Sequence, residues 1–324
     1  MSSGKVCTVV LNWNTYELTK ACIESLLRAT YSNHEIILID NASADGSGAR
    51  LHQDYPDLPF IQNERNLGFA RGCNVAIRRA LELGADYVLL LNSDTKVEPN
   101  FLEPLVELAE SDRTIGLISG KILLMGKPSR IWFAGAEVGP LHHKIRGTRE
   151  LDDGRYDRVE EVTGCTGAMM FITRSVLETV GLLPEEYFFG MEEWDYSLAA
   201  RRAGYRLYYC PKSLVHHHAD GSHINNDPKF VYCGIRNRII FKEKYLPRVV
   251  HPLWRILYKV YVQHLAHLRL NLGKEAMHAY RTAQRAAFRD HRRAGRPYIE
   301  EQDLLNFERE FRATLATGQD LAQT

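Results

Sequence analysis

One segment of the chain reads Ala85-Asp86-Tyr87-Val88-Leu89-Leu90-Leu91-Asn92-Ser93-Asp94, an apolar run that ends in three polar residues. The run predicts a buried strand, and its polar end predicts a strand tip that opens into a loop. An open α/β sheet holds its ligand at such tips. Amide and carboxylate oxygens there suit Mg²⁺ or Mn²⁺, which also bind the phosphates of a substrate. We therefore expect a nucleotide-diphosphate enzyme, although Asn, Ser and Asp also form ordinary turns.

Three further strands with polar tips precede this segment. The runs at 6–11, 35–39 and 60–62 alternate with helical patterns, which predicts a parallel sheet covered by helices on both faces. The tips of such strands share one edge of the sheet. An acid at that edge can accept a hydrogen bond from a ring NH of uracil or thymine, and a glycine lets the backbone approach a ligand. The residues expected at the edge are Asn12, Asn14, Asp40, Asn41, Asp45, Asn66, Gly68, Asn74 and Asp94.

Four motifs follow one another in a specific order along the chain. They read VVLNWN at 9–14, IDNASADGS at 39–47, NLGFARGCN at 66–74 and LLNSDT at 90–95. As an ordered set they resemble family 2 glycosyltransferases of the GT-A fold. Within that family the chain is most similar to bacterial rhamnosyltransferase-like enzymes of surface polysaccharide assembly. The resemblance extends to about residue 245.

The resemblance implies an α/β GT-A fold, with a mostly parallel sheet flanked by helices. It implies a catalytic domain at 1–245, made of halves 1–98 and 99–245, and a helical extension at 246–324. Asn92 and Asp94 would be the D-x-D equivalent that holds Mg²⁺ or Mn²⁺ and the diphosphate, with Asp94 as the anionic ligand because Asn92 replaces the first Asp. Asp40 would read the base. The implied nucleotide-binding residues are Asn12, Asn14, Asp40, Asn41, Asn66, Gly68, Arg71, Asn74, Asn92 and Ser93.

A second polar cluster contains three carboxylates within four residues: Glu192, Glu193 and Asp195. Helical spacing continues after them and Gly204 follows as a C-cap, so they occupy a helix N-terminus. Acids favour that position whatever the function. The resemblance implies that Glu193 deprotonates the acceptor hydroxyl, and Asp195 is the next candidate. Glu193 and Asp195 are two residues apart on a helix, so we expect only one of them to face the donor sugar.

Histidines and arginines form the remaining candidates. Adjacent histidines at 216–218 point in alternate directions along an extended segment, which argues against a dedicated zinc site. The resemblance implies that His217 completes the metal and diphosphate site; surface histidines are the alternative. The helix predicted at 230–241 carries Arg236 and Arg238, either of which could bind a diphosphate of the donor or of a lipid acceptor. A solvated helix face is the alternative there.

Beyond Pro247 the pattern becomes amphipathic. Basic residues at 248, 255 and 259 share one stripe, and apolar residues share another. This pattern predicts a helix at an anionic lipid surface, and a helix packed on the catalytic domain or on a second subunit of a homo-oligomer is the alternative. The predicted apolar stripe contains Val250, Leu253, Trp254, Leu257, Tyr261 and Leu265, and a basic band continues at Arg281, Arg285, Arg289, Arg292, Arg293 and Arg296.

Bulk properties narrow the function class. The net charge of the 324 residues is +1, which argues against a nucleic-acid binder, and no G-x-G-x-x-G follows the first strand, which argues against a dinucleotide oxidoreductase. Six cysteines without paired spacing predict reduced core residues, and the lack of a signal run predicts a cytoplasmic protein, with a peripheral position on the inner membrane face as a second expectation.

Together these features predict a metal-dependent inverting glycosyltransferase. The expected donor is dTDP-rhamnose or a UDP-sugar, and the expected acceptor is a hydroxyl of a glycan or polyprenyl-linked saccharide. The alternative is a non-catalytic scaffold subunit that binds a nucleotide sugar. Because a degenerate scaffold would be free to lose both Asp94 and Glu193, their joint presence favours the enzyme.

Overall fold

The N-terminal part of the chain builds a parallel sheet from strands that alternate with helices. The computed structural model describes residues 4–218, 228–261, 282, 285–289 and 299–317. The first elements are β1 (Val6–Asn12), α1 (Tyr16–Leu26), β2 (His34–Asp40), α2 (Ser47–Asp54), β3 (Phe60–Gln62), α3 (Gly68–Glu82) and β4 (Tyr87–Asn92). These strands lie in the order β4-β1-β2-β3 and every neighbouring pair is parallel, which confirms the predicted arrangement.

The register of this half places the strand tips side by side. Asn12 at the end of β1 is opposite Asp40 at the end of β2, and Leu11 is opposite Asn92 at the end of β4. The three polar tips therefore lie at one edge, as predicted.

The second half extends the sheet with strands of mixed direction. Its elements are β5 (Thr95–Val97), α4 (Glu103–Ser111), β6 (Ile115–Leu124), β7 (Lys127–Phe133), β8 (Ala136–Val138), β9 (His143–Ile145), β10 (Glu160–Val162), β11 (Met169–Thr173), α5 (Arg174–Thr179), α6 (Glu192–Arg202) and β12 (Arg206–His217). The order is β10-β12-β6-β11-β4 and onwards, with β5 on β12 and β7 on β6. β11 runs antiparallel to both β4 and β6, whereas β12 runs parallel to β6.

The stretch from Val159 to Arg174 predicts a single strand from its sequence, and this prediction was wrong. The structure has two short strands, β10 and β11, and a loop between them. The backbone N–H groups of Thr163 and Gly164 both donate to the carbonyl of Ala136 at 3.1 Å, so the chain leaves the sheet there to meet β8. Alternation of apolar residues does not reveal such a change of partner.

The sheet is buried on both faces. On β4 the side chains from Val88 to Leu91 are all buried, and Val88 and Leu90 pack with Ala76, Ile77 and Ala80 of α3. Burial of one large aliphatic side chain contributes about 1.5–3 kcal/mol, so this layer accounts for much of the stability. All six cysteines are buried and free, which confirms the prediction of reduced core residues.

The remaining described residues form a second compact unit, made of Glu185–Met191 and Asp220–Thr324. Its helices are α7 (Pro228–Tyr245), a 3-10 turn (Arg248–Val250), α8 (His251–Val260) and α9 (Glu301–Thr317). Its core contains Tyr232 and Ile239 of α7, Tyr258 of α8 and Phe307 of α9. This division differs from the predicted boundary at 245/246, because α7 belongs to the second unit. In the described ranges, each helix is too short or too polar to cross a bilayer.

Candidate active site

The tips of β1 and β2 are joined by a buried hydrogen-bond network around Asp40. One carboxylate oxygen accepts from Asn12 Nδ2 at 2.7 Å and from the Ser43 hydroxyl at 2.6 Å. The other accepts from the Ser43 backbone N–H at 3.0 Å and from Gln62 Nε2 at 2.7 Å. Four protein donors use the acceptor positions of this carboxylate, and Asp40 is 1% exposed.

The prediction that Asp40 reads a base gains no support from this network. The carboxylate oxygens are engaged by the protein, so in this structure Asp40 holds the loop that follows β2. Asn12 is likewise buried and bonded to Asp40 and to the Ser47 hydroxyl, so it belongs to the same support. The sequence analysis missed Ser43, Ser47 and Gln62. The Asp-x-x-Ser spacing of Asp40 and Ser43, typical of a side-chain turn, was the available signal.

A second amide network joins the ends of β2 and α3. Asn41 donates to Asn66 Oδ1 at 2.8 Å, accepts from the Leu67 backbone N–H at 3.1 Å and is buried. Asn66 also accepts from the Gly68 N–H at 2.9 Å, where α3 begins with a φ of +76°. Asn41 and Asn66 therefore fix the start of α3, and they do not present free amides to a ligand.

Asn74 is also bonded within the protein. It lies inside α3, fully buried, and exchanges two hydrogen bonds with the backbone of Leu183 at 2.9 and 3.0 Å. At this position, about two helical turns after the start of α3, the side chain points toward the core. Of the predicted nucleotide-binding side chains, those of Asn14, Arg71, Asn92 and Ser93 are not buried. Their contacts with a nucleotide remain a prediction.

The clearest chemical pair of the site joins Asp94 to His217. β12 runs antiparallel to β5 with His217 opposite Thr95, and the His218 backbone N–H donates to the Asp94 carbonyl at 2.8 Å. This pairing brings His217 Nε2 to 3.1 Å from Asp94 Oδ1 and to 3.2 Å from Asn92 Nδ2. The neighbouring histidines point elsewhere, since His216 contacts Glu98 and His218 is exposed. The predicted alternation of the three histidines is confirmed.

Trp132 of β7 is a site residue that the sequence analysis missed. Its ring lies 4.5 Å from the His217 ring, centroid to centroid. His217 is buried, and within the described structure its Nδ1 has no hydrogen-bond partner. An aromatic residue on an edge strand gave no sequence signal, because β7 reaches His217 only through its pairing with β6.

The short distance between His217 Nε2 and Asp94 Oδ1 fits either a proton on Nε2 or a cation between the two residues. If Nε2 accepts from Asn92, it carries no proton and its lone pair faces an oxygen of Asp94. A proton on Nε2 or a cation between the two residues removes that repulsion. Two ligands of one octahedral Mg²⁺ at about 2.1 Å are about 3 Å apart, so the observed separation also fits a shared cation. The described residues include no group of three or more His, Cys, Asp or Glu able to hold a metal.

Glu193 lies beside the loop that supports the tip of β4. The Asn92 backbone N–H donates to the Ala168 carbonyl at 3.0 Å, and a Cβ on neighbouring Gly167 would lie 3.7 Å from Glu193 Cβ. Ser197 ties the same helix to this loop, because its hydroxyl bonds the Glu193 carbonyl and the Cys165 N–H. One short loop thus connects Glu193 to the strand that carries Asn92.

The other two acids of α6 are placed differently. Glu192 is 4% and Asp195 is 1% exposed, whereas Glu193 is only half-buried. Burial, followed by the negative charge of Glu192, raises the pKa of the Cys73 thiol, so Glu192 faces α3. These positions favour Glu193 among the three predicted catalytic residues, and they argue against Glu192 and Asp195.

In the second unit, Arg236 is bonded within the protein. It is buried, and its guanidinium donates to the Glu186 carbonyl at 2.9 Å and to Asn237 Oδ1 at 3.2 Å. A diphosphate at Arg236 remains a prediction. Arg238 is half-buried over the Tyr258 ring. Burial, and secondly the charge of Arg238, lower the pKa of Lys242 to about 8. An anion at Arg238 remains a prediction.

A family comparison decides the class of this site. The model described as "Glycosyl transferase family 2" matches residues 7–181, more than half of the chain. The chain belongs to glycosyltransferase family 2. The match includes both β1 to β4 and the strand tip with Asp94, so the resemblance drawn from the four motifs is confirmed.

Relatives of known description agree with the family. A low-salt glycan biosynthesis hexosyltransferase, Agl10 of Haloferax volcanii, is 28% identical over 64% of this chain and 66% of its own. The N-acetylglucosaminyl-diphospho-decaprenol L-rhamnosyltransferase of Mycobacterium tuberculosis is 25% identical over 67% of this chain and 79% of its own. The dTDP-rhamnosyl transferase RfbF of Shigella flexneri is 24% identical over 63% and 64%. The chain thus spans 64–79% of the length of these relatives, and less than two thirds of two of them.

Solved structures confirm the GT-A fold. GalNAc-T7 with UDP, GalNAc and Mn²⁺ has a TM-score of 0.57 at 17% identity, over 83% of this chain and 58% of that one. The mannosyltransferase PcManGT of Pyrobaculum calidifontis, in complex with GDP-Man and Mn²⁺, has a TM-score of 0.52 at 18% identity, over 98% and 80%.

Proposed function

We propose that this protein is an inverting glycosyltransferase that moves a sugar from a nucleotide diphosphate to a hydroxyl of a glycan or polyprenyl-linked saccharide. The expected donor is dTDP-rhamnose, with a UDP-sugar as the alternative. The observation that carries the proposal is the pairing of Asp94 with His217, beside a loop that also contacts Glu193. The relatives described as rhamnosyltransferases support the donor and the lipid-linked acceptor.

The reaction needs a base for the acceptor hydroxyl and a positive charge for the leaving diphosphate, and the site offers residues for both. Glu193 takes the proton of the acceptor hydroxyl while the acceptor oxygen forms a bond to the anomeric carbon from the face opposite the diphosphate. The bond from that carbon to the diphosphate oxygen breaks, and the electron pair leaves with the nucleoside diphosphate. Attack from the opposite face inverts the configuration.

A divalent cation, Mg²⁺ or Mn²⁺, fits the Asp94 and His217 pair. When bound, such an ion neutralises the charge that develops on the leaving diphosphate. Asp94 would supply the anionic ligand, His217 a neutral nitrogen and Asn92 an amide oxygen after rotation of its side chain. Mn²⁺ in the solved structures of GalNAc-T7 and PcManGT supports this part of the proposal.

Two substitutions at the site separate binding from chemistry. Asp94→Ala removes the carboxylate that faces His217, so both transfer and Mn²⁺-dependent nucleotide binding should be lost. Glu193→Ala removes the base alone, so transfer should fall by about 10²–10⁴-fold while donor binding persists. Glu17→Ala, on the exposed side of α1, is the matched control.

The assay combines dTDP-rhamnose and a panel of UDP-sugars with N-acetylglucosaminyl-diphospho-polyprenol, and it follows release of the nucleotide. Thermal shift with each donor, with and without Mn²⁺, measures binding independently. Turnover retained by Glu193→Ala would refute its assignment as the base. Donor binding by the wild-type protein, without turnover on any acceptor tested, would favour the non-catalytic scaffold instead.

A further inference from the structure

The helix α8 is apolar on two faces, and the residues that the structure describes cover one of them. Trp254 and Tyr258 stack on each other with ring centroids 4.9 Å apart and pack with Tyr261 in the core of the second unit. On another side of the helix, aliphatic residues that recur at helical spacing face solvent. Leu253, Ile256 and Leu257 are 58–61% exposed, and Val260 is 45% exposed. Val249, in the turn before the helix, is 86% exposed.

This division corrects the single apolar stripe expected from the sequence. Trp254 and Tyr261 belong to the covered face, whereas Leu253 and Leu257 belong to the exposed one, and Leu265 lies outside the described residues. Packing within the second unit accounts for the aromatic face alone. Packing among the described residues does not account for the exposed aliphatic face. This face consists of Val249, Leu253, Ile256, Leu257 and Val260.

The exposed charged residues of α8 and of the turn before it are basic. Arg248 and Lys259 are exposed and lie along the flank of the aliphatic face. The sequence contains no Asp or Glu between 246 and 274, where it has five Lys and Arg residues. A helix with an aliphatic face and a basic flank matches the boundary of a bilayer, where acyl chains lie beneath anionic headgroups.

We propose that the exposed aliphatic face of α8 docks on an anionic lipid surface, with the helix axis parallel to the membrane plane. The proposal does not rest on sugar transfer, because no residue of this face belongs to the candidate active site. A second copy of the chain is a poorer match. A symmetric interface through the same face would bring the two basic flanks together, and stable interfaces use about 20–30 residues a side, far more than this face provides.

The experiment measures binding of the full chain to vesicles by co-sedimentation. One variant carries Leu253→Gln, Ile256→Gln and Leu257→Gln, which keep the helix but remove the aliphatic face. The matched control carries Leu27→Gln, Leu141→Gln and Leu151→Gln, three leucines of the first unit that are 52–74% exposed. Vesicles of phosphatidylcholine, alone or with about 30% phosphatidylglycerol, separate apolar from electrostatic attraction.

We expect the wild type and the control variant to bind the anionic vesicles, and the α8 variant to bind at least about tenfold more weakly. Raising the salt from about 0.1 M to about 1 M should weaken wild-type binding, because screening removes the attraction of the basic flank. Circular dichroism and dTDP binding check that both variants fold.

Equal vesicle binding by the α8 variant and the control would overturn the proposal. Sedimentation velocity provides the competing outcome. The lipid assignment is wrong if three results occur together: the wild type is a dimer, the α8 variant is a monomer, and the two bind vesicles equally. In that case a second copy of the chain covers this face.

Discussion

His217 shows how much of this site depends on single side chains brought together from distant strands. Its Nε2 meets Asp94 and Asn92 at the tip of β4, and Trp132 of β7 covers its ring. The imidazole is therefore held between an anion and an aromatic plane. Because Nδ1 has no partner in the described structure, the packing of Trp132 is the contact available to fix the ring orientation on that side.

Trp132→Ala should weaken Mn²⁺-dependent nucleotide binding without removing any proposed ligand. Loss of the indole lets the His217 ring turn away from Asp94, and residues that orient a metal ligand typically contribute 10–100-fold in affinity. We expect a loss of about tenfold or more in Mn²⁺ affinity, measured calorimetrically with dTDP present, and near wild-type affinity for Trp132→Phe. Equal Mn²⁺ affinities for Trp132→Ala and the wild type would show that the ring is held by other contacts.

Asp40 differs from His217. The sequence analysis expects Asp40 to read a base, whereas in this structure its carboxylate holds the loop that follows β2. Asp40→Asn replaces one acceptor oxygen with an NH₂ group that meets protein donors, which should cost about 1–3 kcal/mol of unfolding free energy in urea. The ratio of dTDP to UDP affinity should change by less than about twofold. Asp45→Asn, at an exposed carboxylate that bonds Ser47, is the control. A changed base preference with unchanged stability would return Asp40 to base recognition.

At the scale of elements, the sequence predicts what is local. The runs that form β1, β2 and β4 are continuous and apolar, and their polar ends lie at one edge whatever else the chain does, so the candidate edge was predictable. The roles of Asn74 and Trp132 could not be predicted from the sequence. To predict the role of Asn74, the first residue of α3 must be known to within a residue or two. To predict the role of Trp132, the register between β6 and β7 must be known. Both depend on tertiary partners that a single sequence does not specify.

β2 also carries a pH-dependent contribution to stability. Burial lowers the pKa of His34, at the start of the strand, from 6.5 to about 4, and its Nε2 lies 2.8 Å from the Thr8 hydroxyl of β1. The folded protein therefore keeps His34 neutral at a pH where the unfolded chain takes up a proton. This contribution is complete above about pH 6.5 and is lost as the pH falls toward 4.

His34→Gln removes that titration. Between pH 7 and pH 4.5 we expect the wild type to lose about 2–3 kcal/mol more unfolding free energy than the variant. Urea denaturation at a series of pH values measures the difference, and His142→Gln, at an exposed histidine, is the control. Parallel pH profiles for the wild type and His34→Gln would mean that His34 titrates normally in the folded protein.

At the scale of the whole molecule, the two units are interleaved in sequence. Residues 185–191 belong to the second unit, yet α6 with Glu193 begins directly after them and belongs to the first. α7 holds this segment through two residues. Arg236 bonds the Glu186 carbonyl, and Asn237 Nδ2 donates to the carbonyls of Phe189 and Gly190 at 2.9 and 2.8 Å. Gly190 and Met191 then adopt positive φ values, so the chain enters α6 through a constrained turn.

Asn237 should therefore act as a positioning residue for Glu193, at a distance in sequence of more than forty residues. Asn237→Ala leaves two carbonyls without their donor and loosens the entry to α6. Displacement of a catalytic group by about 1 Å can lower the reaction rate by about 10²-fold. We therefore expect kcat to fall by roughly tenfold or more, while the affinity for the donor is unchanged. Lys244→Ala is the matched control, since it removes an exposed ion pair to Glu186 of the same segment, worth about 0–1 kcal/mol. A loss of donor affinity equal to the loss of kcat would point to general destabilisation, and unchanged kcat would show that α6 keeps its position without the anchor.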